Sequence, residues 1–161
     1  TRTIRTWTGL TDDRIRKLYR SYVADDAAGH ITRHRGKSPQ QITFFVRTPL
    51  MRQEASVLAS VFYLLGVMPA LQVADAVPHI AGMQRGEALC DAFETYRMLV
   101  PNPRISFEHA VFLVTALARG DELRASLCGD CRGLIVVDRF GAGQRHCLSC
   151  EHSRQGRLAL G

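Results

Sequence analysis

A chain of 161 residues can hold one compact core with a small appendage, and 46% apolar with 22% charged residues is a globular composition, which sets disorder aside. No apolar run reaches membrane-spanning length and no charged-then-apolar leader opens the chain, while the start at Thr1-Arg2-Thr3 without Met suggests a missing natural N-terminal segment. The net charge of +6 is almost wholly arginine and sits at the ends: residues 1–37 carry nine basic against four acidic side chains, residues 132–161 five against two, and residues 70–126 five against seven. That placement suits a polyanionic partner and, equally, an Arg-rich solvated surface.

The segment IRTWTGLTDDRIRKLY reads as a helix-turn-helix-like unit within residues 1–22. Gly9 stands where such a turn needs a positive φ. Ile4, Leu10, Ile15 and Leu18 stand where two helices would meet, and Thr11-Asp12-Asp13 caps the second helix. That helix presents Arg14, Arg16, Lys17 and Arg20 as candidate DNA contacts, and Arg5 occupies a position where such units prefer a small residue. The plainer reading is a helical hairpin with a charged outer face.

Residues 29–49 contain Gly29, Gly36, Pro39 and Pro49 and read as a long loop with an Ile-Thr-Phe-Phe-Val run embedded in it. Arg33, Arg35 and Lys37 in this loop are further candidate DNA contacts. His30 and His34 lie four apart, but the flanking glycines oppose a helix that would pair them as metal ligands. From Leu50 to Leu65 an apolar stripe of Ala55, Leu58, Val61, Phe62 and Leu65 predicts a core helix ended by Gly66. Val57, Tyr63 and Leu64 make this helix apolar nearly all round, which predicts a helical partner covering the remaining face. Further helices are expected over 70–81 (interrupted by Pro78), 86–99 and 106–119, the last with Ser106 as N-cap and Gly120 as terminator. Cys90 within 86–99 is expected to be a small buried apolar residue.

The C-terminal stretch CGDCRGLIVVDRFGAGQRHCLSC carries two Cys-x-x-Cys pairs, Cys128/Cys131 and Cys147/Cys150. Five cysteines in this length are too sparse for a secreted disulfide scaffold, and one pair would suffice for a redox site. Two pairs fit tetrahedral zinc, one ion per chain. With the shell closed by four thiolates no position is left for substrate, so the metal is structural. A ribbon is expected: Gly133 for the knuckle, a strand at Leu134–Val137, a turn at Gly141-Ala142-Gly143, and a second strand through Arg145 and His146. His146 and His152 are read as exposed rather than as ligands. The fold class is therefore mainly α, a helical domain over 1–126 followed by a zinc ribbon and basic tail over 127–161, with a reducing cytoplasm as its natural home.

These segments together resemble the FlhC-like transcriptional activators, the family of the flagellar master regulator subunit FlhC and its relatives on conjugative elements. The resemblance runs through LTDDRIRKLYRSY, GKSPQQITFF, EASVLASVFYLLG, LCGDCRGLIVV and CLSC, in order, over most of residues 10–150. It implies zinc held by Cys128, Cys131, Cys147 and Cys150, assembly with an FlhD-like subunit, binding to double-stranded promoter DNA, and recruitment of RNA polymerase. Flagellar members carry Pro-Phe-Ser-Thr-Asp-Trp-Phe where this chain reads Pro-Gln-Gln-Ile-Thr-Phe-Phe from Pro39 to Phe45, so relatives that activate conjugative transfer genes are as similar. A zinc-stabilised protein-protein interaction module is the alternative. No Gly-rich phosphate loop, His-Glu-x-x-His or nucleophile with a base at readable spacing occurs, and the chain reads as a non-enzyme.

Overall fold

Thr48 and Pro49 start the helix on which the rest of the protein is built. Thr48 is extended and its hydroxyl accepts from the Met51 N–H, while Pro49 takes the first helical position, where a missing N–H leaves nothing unpaired. The computed structural model describes residues 2–22, 41–68, 82–141 and 144–158. Its elements in chain order are α1 (Arg2–Thr8), α2 (Asp12–Tyr22), α3 (Thr43–Val46), α4 (Pro49–Leu64), α5 (Gly82–Leu99), α6 (Phe107–Arg119), β1 (Leu123–Leu127), β2 (Leu134–Asp138) and α7 (Leu148–Leu158). The fold is mostly helical with one small two-stranded sheet. The expected helix over 70–81 and the candidate contacts Arg33, Arg35 and Lys37 lie outside the described residues, as do His30 and His34. None of the helices is long and apolar enough to cross a membrane, among the described residues.

The central helix α4 is packed on by α3, α5, α6 and β2. Ala55, Leu58 and Phe62 of the expected stripe are fully buried and Val61 nearly so. Leu65 departs from expectation. It is the C-cap rather than a core residue and is 42% exposed, because the chain reverses at Gly66 (φ 71°) and sends Val67 and Met68 back into the core in its place. Leu64 is 82% exposed.

Two buried polar side chains on α4 tie it to its neighbours. Glu54 accepts from the Tyr96 hydroxyl of α5 and from the backbone N–H groups of Arg104 (2.6 Å) and Ile105 (3.2 Å). The Ser56 hydroxyl donates to Arg52 O (2.7 Å) and accepts from Val136 N–H (2.8 Å), which fastens the free edge of β2 to the helix. Neither role has a periodic signal in the sequence.

On α5, Leu89, Ala92 and Tyr96 recur at helical spacing and face the core. Cys90 lies about 100° around the helix from Leu89 and is exposed, which corrects the expectation that it is a buried residue. Ser106 caps α6 as expected, accepting from His109 N–H, and Gly120 ends it in the left-handed conformation with φ 66°. The Phe-Phe run of the expected loop forms the single turn α3. Phe45 is fully buried there, and Phe44 stacks on His109 with 4.1 Å between ring centroids.

Gly9 takes the positive φ (71°) that the turn between α1 and α2 requires. The main partner of α1 is α5. Trp7 is buried with the Arg85 guanidinium 4.1 Å from its ring centroid, and a Cβ on Gly86 would stand 2.9 Å from a Thr8 methyl, so a larger residue there would force the Thr8 side chain to move.

Candidate metal centre

The hairpin that carries the first cysteine pair differs from the expected ribbon. β2 pairs antiparallel with β1, Ala125 opposite Val136 and Leu127 opposite Leu134, so Cys128 and Cys131 form the hairpin tip. The tip is closed by Cys128 N–H to Gly133 O (2.8 Å) and Arg132 N–H to Cys128 O (3.1 Å). Arg132, not Gly133, adopts the positive φ (61°). The segment expected to be the second ribbon strand is instead the approach to a helix: Cys147 O accepts from Glu151 N–H at the start of α7, and Cys150 lies in its first turn. Between Gln144 and Leu158 there is no Val, Ile, Thr, Phe, Tyr or Trp, whereas three of the four residues Leu134–Val137 are β-branched, a contrast that favours helix in the first stretch and strand in the second.

Hairpin and helix bring all four thiols together. The sulfurs of Cys128, Cys131, Cys147 and Cys150 lie within 4.8 Å of one another, with Cys131 Sγ and Cys147 Sγ 3.7 Å apart. A tetrahedron with metal–sulfur bonds of about 2.3 Å has edges of about 3.8 Å, whereas a disulfide would bring two sulfurs to about 2.05 Å. The donor set fits one tetrahedral ion, and all four cysteines are free thiols.

Local electrostatics favour a thiolate at the innermost position. Burial opposes ionisation of Cys128, but N–H groups from Cys131, Cys147 and Asp130 converge on its sulfur and bring the thiol down to about 5. The Cys147 N–H to Cys128 Sγ distance is 3.3 Å. Cys150 is pushed up to about 12, first by its contact with Cys147 and then by burial, as it must be where several sulfurs compete for negative charge without a cation. A divalent ion removes that competition and takes all four as thiolates.

Polar contacts outside the sulfurs hold the two halves in register. Asp130 accepts from Arg154 of α7 at 2.8 Å, and its other oxygen lies 3.2 Å from His146 Nδ1, a contact without hydrogen-bond alignment. Gly129 N–H donates to Arg145 O at 2.9 Å, and a Cβ on Gly129 would meet His146 at 3.1 Å. Glu151 reaches back to Arg52 of α4 at 3.6 Å. His146 is thus half-buried against the knuckle and His152 is exposed. The Asp130 and Arg52 contacts were not signalled by the sequence, since each joins segments far apart in the chain.

The second candidate surface is α2. At about 100° per residue, Arg16, Lys17 and Arg20 share one face, opposite the half-buried Ile15, Leu18 and Tyr19, and Arg14 stands at the boundary. All four basic residues are exposed. Asp13 accepts from Arg16 at 3.1 Å, an exposed pair that leaves the guanidinium accessible. A scan of the chain against protein-family models finds no match, and a search among curated proteins finds none either.

Proposed function

We propose that this protein is a zinc-holding, DNA-binding subunit of an FlhC-like transcriptional activator that works with an FlhD-like partner in the bacterial cytoplasm. In this reading the four cysteines carry one structural zinc and perform no catalysis, the Arg16–Lys17–Arg20 face of a helix-turn-helix-like unit meets phosphates of double-stranded promoter DNA, and the assembly recruits RNA polymerase to flagellar or conjugative-transfer promoters. The observation that carries it is the pairing of a closed four-thiol centre with an exposed basic face on a short amphipathic helix preceded by a glycine turn. Arg33, Arg35 and Lys37 belong to the same proposal on the strength of their sequence alone. A reduced compartment follows from four free thiols that must stay metal-competent.

Salt-dependent binding tests the proposal. Affinity for duplex DNA, measured with the zinc-loaded chain and its helical partner, should fall steeply with salt. The triple change Arg16→Ala, Lys17→Ala, Arg20→Ala should lower the slope of log K against log salt by about three phosphate contacts. Unchanged affinity and slope would remove α2 from the interface. The alternative, a zinc-stabilised module that binds protein only, draws on the exposed Leu64, Leu65, Met98 and Leu99. It predicts no salt-dependent DNA binding by wild type at all.

A further inference from the structure

Two buried side-chain atoms, Gln144 Oε1 and His146 Nδ1, meet no hydrogen-bond partner among the described residues. Both residues lie on the approach to α7, and both line one cavity of about 110 Å3 enclosed by α4, β2 and that approach. A buried acceptor without a donor is costly, and folded proteins supply the donor from their own groups or from ordered water.

The donors that line this cavity are directed elsewhere. The Ser56 hydroxyl donates to Arg52 O (2.7 Å) and the Ser60 hydroxyl to Ser56 O (2.8 Å), so neither proton is left for Gln144. The Arg52 guanidinium is turned to Glu151 at 3.6 Å, and Gln53 is exposed. With Cys147 at the metal centre, the rest of the wall is Pro49, Val57, Leu148 and the β2 residues Leu134, Ile135 and Val137. A charged ligand finds no uncompensated counter-charge here, because Arg52 and Glu151 already face each other. An apolar ligand would leave Gln144 Oε1 unpaired. A small neutral donor satisfies both conditions, and the cavity is well above the about 10–15 Å3 that a single water needs.

We propose that this cavity holds ordered water, one molecule of which donates to Gln144 Oε1. The core helix and the thiol region then meet across solvent as well as through the Ser56–Val136 and Arg52–Glu151 contacts. Water bonds can be exchanged where direct bonds would have to break, so this is the place where the thiol region can reseat on α4. The site is independent of the basic face of α2 and of any DNA binding.

A high-resolution crystal structure of the zinc-loaded full chain, with a second data set under xenon pressure, tests this. A solvent peak should stand within about 3.2 Å of Gln144 Oε1, and xenon should stay out, since it enters dry apolar cavities and not hydrated polar ones. Gln144→Leu keeps the bulk and removes the acceptor, and should lose that peak. Xenon in the wild-type cavity, no solvent peak at Gln144, a protein donor found on Gln144 Oε1, or a peak unmoved in Gln144→Leu would each overturn the proposal. If Gln144→Leu fails to fold, the two wild-type data sets decide the case by themselves.

Discussion

The apolar core around α4 and the cluster around the thiols are held together by different physics. The first gathers Trp7, Phe45, Leu58, Phe62, Tyr96, Leu113, Val136 and others from five helices and both strands. The second consists of Cys128, Ile135 and Val137, with Cys147 and Cys150 packed against them. Apolar burial can sustain the first region but not a hairpin tip and a largely exposed polar helix, so an ion held by the four thiols would matter to α7 in a way that it would not to α4. β2 belongs to both, with Val136 in the first region and Ile135 and Val137 in the second, so the Ser56–Val136 bond and the Arg52–Glu151 pair form the seam between them.

Breaking the metal site should give the largest effect. Cys147→Ser, or chelation of the wild type, removes binding free energy on the order of 10 kcal/mol from the thiol region. Amides of α7 and of residues 128–133 should then exchange rapidly while those of α4 stay protected in hydrogen-exchange experiments. Equal loss of protection in α4 would mean that the two regions are one cooperative unit. Next in size, Phe62→Ala should cost about 3–5 kcal/mol of global stability in denaturant unfolding while leaving the metal content, by elemental analysis, at one ion per folded chain. A metal loss parallel to the stability loss would again erase the contrast.

The seam sharpens the comparison further. Ser56→Ala leaves Val136 N–H without its acceptor at a buried strand edge and should cost about 1–3 kcal/mol. If the seam couples the regions, this cost should shrink in a Cys147→Ser background, which a double-mutant cycle measures. The smallest effect belongs to His109. Burial lowers its pKa, with Arg47 assisting and Glu108 opposing. Its neutral form is therefore favoured in the fold. As pH drops below the ordinary value of 6.5 the unfolded chain takes up the proton first, stability declines until the lowered folded value is passed, and no more is lost below it. His109→Phe, which preserves the ring against Phe44, should flatten that part of the profile of thermal midpoint against pH.

Local signals were readable wherever one short segment settles its own conformation. Ser106 and Gly120 bound α6, Gly66 stops α4, and Gly9 takes the left-handed turn, because capping and positive φ are decided by nearest neighbours. The thiol quartet was equally readable from spacing, since a Cys-x-x-Cys loop brings its own two sulfurs together. The strand Leu123–Leu127 was not, because LRASL mixes Arg124 and Ser126 with apolar residues and owes its extended form to pairing with β2.

Sequence by itself determined a mainly helical chain, the ends of α4 and α6 and the four cysteines able to share an ion, all properties of local spacing and backbone chemistry, while the start of α5 at Gly82 lies four residues before the expected one. Tertiary structure alone decided that Cys90 faces outward and Leu65 leaves the core, that Asp130 bridges the two knuckles, and that Glu54 is buried against Tyr96, Arg104 and Ile105. Those features depend on which distant segment packs opposite each side chain, and that choice is made by the summed burial and hydrogen bonding of the whole fold rather than by any stretch of it.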